Sequence, residues 1–168
     1  MLHNIDPKQI AKNPFSMIGD QWMLITAGDA ESCNTMTASW GGLGILWNKP
    51  MAIAYIRPQR YTKQFVDEQE YFTLTFFPAE YRQALALCGT KSGRDTDKVK
   101  ECGFTVAEAE GGAPYFEQAE LVLVCRKLYQ STLKEEGFVD RSILADHYPS
   151  RDLHEMYIGE IVKVLVAD

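Results

Sequence analysis

No segment of this chain repeats its apolar residues at helical spacing for long enough to carry one parallel strand back to the next. A βαβ architecture is therefore excluded at the outset. Apolar residues come instead in short runs cut by glycine and proline. Residues 22–27 end at Gly28-Asp29 and are expected to form a hairpin with 34–40. Pro50 interrupts the chain ahead of a largely apolar strand over 51–56, expected to be buried on both faces or nearly so, which Pro58 stops. Residues 71–77 alternate, and 121–129 and 156–166 are long stretches of high β propensity. The helices are short: 63–68, N-capped by Thr62; 79–87, opened by Pro78 and ended by Gly89; and 95–102, closed by Gly103. Residues 4–14 read as an arm or a short helix. Six or seven strands with inserted helices predict a mainly β fold, a barrel, whose closure hides the edges of so many apolar strands.

At 168 residues the chain is read as one domain, 1–168, able to bury a real core. With 46% hydrophobic and 24% charged residues it is not expected to be disordered. A net charge of −6 argues against nucleic acid and against an anionic membrane surface as partners. No apolar run approaches the roughly 18 residues a bilayer span needs. The first eight residues lack a basic segment followed by an apolar run, so no export signal is expected. Cys33, Cys88, Cys102 and Cys125 are widely spaced without a C-x-x-C pair, which suits reduced thiols in a cytoplasmic protein. Cys88 is the one that borders a candidate functional loop.

Three stretches carry candidate chemistry. The first is 34–40, where a period of two places Thr35, Thr37 and Ser39 on one face and Met36, Ala38 and Trp40 on the other. Small hydroxyls beside an accessible strand backbone suit the edge of a flat heteroaromatic ligand; the plain alternative is a solvated strand. The second is Arg57-Pro58-Gln59-Arg60-Tyr61-Thr62, a strand end running into a helix start. Two guanidiniums, a hydroxyl and free helix N–H groups are what a phosphomonoester needs, and the alternative is a surface arginine pair with a structural cap. The third is the loop 90–98, where glycine gives a bend and Lys91, Ser92, Arg94 and Lys98 supply donors; the alternative is a solvated charged loop.

Other chemistries fit poorly. The loop 90–98 lacks P-loop spacing, and Trp47 stands where a dinucleotide fingerprint running from Gly42 needs its last glycine. There is no nucleophile elbow, and His147 and His154, seven apart across Pro149, have no third ligand at a convincing spacing for a metal. His154 leads the strand 156–166 and could point into a cleft.

In their order along about 130 residues, these motifs resemble the flavin reductase-like family with the FMN-binding split β-barrel, the group that includes flavoredoxin. The resemblance rests on 25–28, 34–41, 57–62, 72–74, 88–95 with Asp97 and Lys98, and 154–161. It implies a homodimer binding FMN without a covalent bond. By that likeness Asn34, Thr35, Met36, Thr37, Ala38, Ser39 and Trp40 line the ring and ribityl chain. Arg57, Arg60, Tyr61 and Thr62 stand at the phosphate end, Ser92, Arg94 and Lys98 close over the cofactor, and His154 lies near the ring. The implied reaction is hydride transfer from NADH or NADPH to bound FMN, with electrons passed on to a flavin, a metal complex, a quinone or a protein. The alternative is an FMN-binding electron carrier reduced by a partner protein; a third reading, without flavin, is a small-ligand or interaction barrel.

Overall fold

The computed structural model describes residues 1–168. Strands β1 (Leu2–Ile5), β2 (Met23–Gly28), β3 (Cys33–Ala38), β4 (Gly41–Leu46), β5 (Lys49–Ile56), β6 (Tyr71–Phe76), β7 (Val106–Glu108), β8 (Pro114–Phe116), β9 (Leu121–Thr132) and β10 (Glu155–Ala167) carry the fold. Helices α1 (Pro14–Ser16), α2 (Thr62–Glu68), α3 (Arg82–Thr90), α4 (Lys98–Glu101) and α5 (Ser142–His147) are inserted between them. Eight strands form one antiparallel sheet in the order β3-β2-β6-β9-β10-β5-β4, with β1 on the far end of β10, while β7 and β8 pair separately. The sheet's two edges, β3 and β4, are not hydrogen-bonded to each other, and only Ser39 and Trp40 lie between them in the chain. The barrel is split at that point.

Period-two alternation sorts the core. Phe72, Leu74 and Phe76 face inward with Ile25, Ala52, Ala54, Leu123 and Tyr157, all buried. The opposite faces of β2, β6 and β9 stay buried as well, because α3 and the β7–β8 hairpin cover them: Leu24, Val122 and Val124 pack with Leu85, Phe104 and Phe116. Phe104 and Phe116 stack at 4.7 Å between ring centroids.

Several expectations need correction. The chain forms ten strands, more than the six or seven expected, because β1, β4 and the β7–β8 hairpin carry weak β signals. The glycine-rich 41–44 stretch, for which the sequence predicts no strand, lies in β4, which pairs with β5 through a two-residue hairpin at Trp47 (φ 53°) and Asn48 (φ 57°). Pro50 does not interrupt; it sits within β5 opposite Ile45, near the strand's start. β2, β6 and the first half of β9 are buried on both faces, whereas β5 buries Ala52, Ala54 and Ile56 and leaves Met51, Ile53 and Tyr55 half-exposed. Thr62 makes no N-cap; Tyr61 occupies that position without a side-chain bond. Pro78 precedes a short 3-10 turn, and α3 runs on through Gly89 to Thr90. The next helix starts at Lys98 rather than 95, capped by the Asp97 carboxylate, which accepts from the Lys100 N–H at 3.1 Å.

Candidate functional site

The last carbonyls of a helix have no further turn to accept from them. At the end of α3 two of them are taken by cations. Lys98, only 4% exposed, donates from Nζ to the Cys88 carbonyl at 2.9 Å and to the Thr35 carbonyl at 2.8 Å. Arg60 donates from Nη1 to the Gly89 carbonyl at 3.2 Å. Its Nη2 is one of two buried side-chain nitrogen or oxygen atoms with no hydrogen-bond partner, the other being Thr75 Oγ1. No carboxylate pairs with either cation. Burial pulls the Lys98 ammonium down to about 8, with Arg60 adding to the shift, and burial lowers Arg60 too. Both face a polar cavity of about 120 Å³ shared with Thr62, Ser92 and Gly89.

Arg60 also lines a second cavity of about 220 Å³. Met36, Thr37, Ala38, Ser39 and Trp40 form one wall, and Tyr55, Arg57 and His154 form the other. Trp40, at the split, lies 5.2 Å from the His154 ring. Tyr148, just after α5, hydrogen-bonds His154 Nδ1 through its hydroxyl at 2.7 Å. Burial and the Arg57 guanidinium push His154 down to about 4, so it is neutral at neutral pH, while burial raises the Tyr148 phenol. The phenol O–H can donate to Nδ1, which leaves the ring's proton on Nε2, or its oxygen can accept from a protonated Nδ1.

The structure brings most of the expected residues to these two cavities but changes several roles. The row of hydroxyls on β3 is only partly open: Thr37 and Ser39 are half-buried and line the larger cavity, while Thr35 is closed off. Thr35 is 0% exposed and bonds Thr26 Oγ1 at 2.8 Å, and Thr37 donates to the Leu85 carbonyl, because α3 packs over that face. Thr35 contributes through its carbonyl instead. Arg57 lines the larger cavity rather than the polar one. It is held by Asp152 at 2.9 Å and by the His147 carbonyl at 3.0 Å, and it lies 5.0 Å over the Tyr148 ring. Asn34 donates to Thr62 Oγ1 at 2.8 Å and borders Gly93. Arg94 lies 4.7 Å over the Tyr61 ring, and its own N–H bonds Ser92 Oγ at 3.2 Å. Tyr55, Tyr148 and Asp152 went unnoticed in the sequence. The aspartate's distance from Arg57 left no local signal, and only the Pro149 turn near His154 hinted at Tyr148.

The flavin reductase like domain matches residues 15–168. The chain belongs to this family. No curated protein matches it. Among solved structures, flavoredoxin from Methanosarcina acetivorans is 23% identical with a TM-score of 0.68, covering 88% of this chain and 69% of its own. An FMN-binding domain of a flavin reductases-like enzyme from Shewanella baltica OS155 is 15% identical with a TM-score of 0.71, over 99% of this chain and 77% of that one. Nitrilotriacetate monooxygenase component B from Bacillus cereus is 16% identical with a TM-score of 0.68, over 98% and 81% respectively. At these identities the likeness is one of fold, the split barrel. Within this flavin reductase-like fold, the larger cavity opens along β3 and its exit into Trp40, the seam between the sheet's two edges, and Arg60 lines both it and the polar cavity.

Proposed function

We propose that this chain is an FMN-binding oxidoreductase that takes hydride from NADH or NADPH and passes electrons to a flavin, metal or protein acceptor. The observation that carries the reading is the cation pair of buried Lys98 and half-buried Arg60, the latter with one buried guanidinium nitrogen left without a partner, and no carboxylate beside either. A buried and a half-buried charge without a counter-ion are costly, and a phosphate in the adjoining cavity would supply both the charge and the acceptor. Thr62, Ser92 and the Gly89 backbone would complete that end, and Tyr61 with Arg94 would flank it. Gly93 is tight against this wall: a Cβ there would sit 2.0 Å from Asn34 Oδ1.

The wall from Met36 to Trp40 would hold the ring, with His154 opposite. Bound there, FMN supplies the hydride-accepting chemistry, which is the cofactor's own. The chain binds the phosphate by charge, orients the ring along β3, and presents His154 as a neutral ring held by Tyr148. Free cysteines throughout fit a reducing, cytoplasmic setting. No helix is long and apolar enough to cross a membrane.

A homodimer belongs to this reading. On the outer face of the β4–β5 hairpin, Gly42 and Gly44 stand opposite Ile53 and Met51 and leave them uncovered. Phe15 (85% exposed), Ile45 (66%) and Trp47 (53%) add apolar surface. Light scattering that gives the mass of a single chain overturns that part. For the reaction, the FMN-loaded protein is mixed anaerobically with each nicotinamide; flavin bleaching no faster than that of free FMN defeats it.

A further inference from the structure

Between α3 and α4, beside the cation pair, two thiols touch. Cys88 Sγ lies 3.7 Å from Cys102 Sγ, and neither is in a disulfide. Cys88 is buried in the last turns of α3, and its carbonyl is the one that accepts from Lys98. Cys102 is half-buried at the end of α4, and its N–H donates to the Lys98 carbonyl at 3.0 Å. The residue after it, Gly103, has φ 66°, so α4 ends in a left-handed turn only four residues from its start. The backbones of both cysteines therefore bond directly to Lys98, the residue that would hold the phosphate.

We infer that Cys88 and Cys102 form an oxidation site for hydroperoxides, and that the Cys88–Cys102 disulfide lowers the affinity of the adjoining polar cavity for FMN. The second half of this statement rests on the cofactor reading above; the thiol chemistry does not. Cys102 is the accessible partner and reacts first. Its thiolate sulfur attacks one peroxide oxygen, the O–O bond breaks, and the leaving hydroxide takes up the thiol proton as water, leaving a sulfenic acid on Cys102. The Cys88 sulfur then attacks the Cys102 sulfur. The S–O bond breaks, and the hydroxyl leaves as a second water with the Cys88 proton. Two thiols are oxidised by two electrons in all, and one hydrogen peroxide is reduced to two waters.

A disulfide needs its sulfurs about 2.05 Å apart, so the contact must close by more than an ångström. α3 places two fully buried side chains, Leu85 and Cys88, in the second core cluster, whereas the short α4 meets it only through the half-buried Val99 and Cys102 and ends in that turn. The movement therefore falls on α4, and it carries the Lys98 backbone with it. Lys98 can then no longer satisfy the Cys88 and Thr35 carbonyls and face the cavity at once. Linkage makes the effect reciprocal: an anion that neutralises Lys98 and Arg60 withdraws the two positive charges that favour the Cys88 thiolate, so bound FMN protects the pair. Burial holds Cys88 up to about 12 and raises Cys102, so the reaction is slow and selective for a strong oxidant.

The test treats reduced, flavin-free protein with hydrogen peroxide, blocks remaining thiols in denaturant, and maps the cysteines by mass spectrometry. The expected result is a fall from four free thiols to two, with Cys88 and Cys102 in one linked peptide. FMN affinity then drops by about tenfold or more, and dithiothreitol restores it. The variants Cys102→Ser and Cys102→Ala give no linked peptide and keep their FMN affinity under the same treatment. Four blocked cysteines, or a link through Cys33 or Cys125, overturns the site. A mapped Cys88–Cys102 link with unchanged affinity overturns the coupling. Reduced protein that binds no FMN overturns the cofactor reading and with it the coupling, while the peptide map still decides the thiol chemistry.

Discussion

Arg60 and Lys98 are tethered to neighbouring carbonyls, those of Gly89 and Cys88, at the C-terminal end of α3. The negative end of a helix is where cations are favoured, and the tether fixes both side chains before any ligand arrives. Pre-positioned charges lose little rotamer freedom on binding, so their contribution falls on the anion rather than on folding.

Lys98→Met keeps the side chain's length and removes its charge. FMN binding is expected to weaken by about 1.5–3 kcal/mol, as for a lost charge-assisted bond, and Arg60→Ala behaves alike. Riboflavin, which has no phosphate, is expected to bind both variants and the parent protein equally. Fluorescence titration of the two flavins separates the outcomes; equal losses for both would show that the cations do not meet phosphate.

The depressed Lys98 fixes the sign of the pH response. Below about 8 the ammonium is charged and attracts the phosphate; above it the apo protein sheds that proton, so FMN affinity falls as pH rises through this value. Folding without FMN shifts the other way. Between about 8 and the ordinary lysine value of 10.5 the unfolded chain holds more protons, so this group's penalty on stability is relieved as pH rises. Titrations and denaturant midpoints across that window, compared with Lys98→Met, check both signs.

Tyr148→Phe removes the hydroxyl that holds His154 Nδ1. A stability loss of about 1 kcal/mol is expected, together with a mixture of ring tautomers visible in ¹⁵N NMR where the parent shows one tautomer alone. His154 also makes the protein acid-sensitive. Its folded value near 4 lies below the ordinary 6.5, so its contribution to stability is present above that range and is lost as pH falls from 6.5 to 4. His154→Gln flattens that part of the stability profile.

Gly93→Ala places a methyl 2.0 Å from Asn34 Oδ1 and 3.0 Å from Tyr61 Cδ1. Asn34 must then give up its bond to Thr62. A loss of about 1–3 kcal/mol in stability is expected, with weaker FMN binding; calorimetry and titration read the two effects.

The positions that chemistry would use were visible in the sequence as residue types: arginines after a strand, a lysine after a glycine bend, a tryptophan leaving a strand. Their partners were not. Arg57 stands beside Arg60 in sequence, and nothing local says that Asp152, 95 residues away, draws it toward His154 while Gly89 draws Arg60 the other way. β4 was hidden for a similar reason. Its three glycines have no intrinsic strand preference, and the strand exists because β5 lies alongside to pair with it.

Alternation, breaker residues and the shortness of the helices were enough to specify a β barrel with insertions, since periodicity is a property of the chain alone. Which face of β3 is wet could not be read there. Thr35 and Thr37 carry the same hydroxyl whether they meet water or protein, and only the contacts with Thr26 and with the Leu85 carbonyl of α3 leave Thr35 interior and Thr37 half-buried. The cation pair has the same origin: charge can be counted along a sequence, but being buried without a counter-ion arises only when distant segments meet.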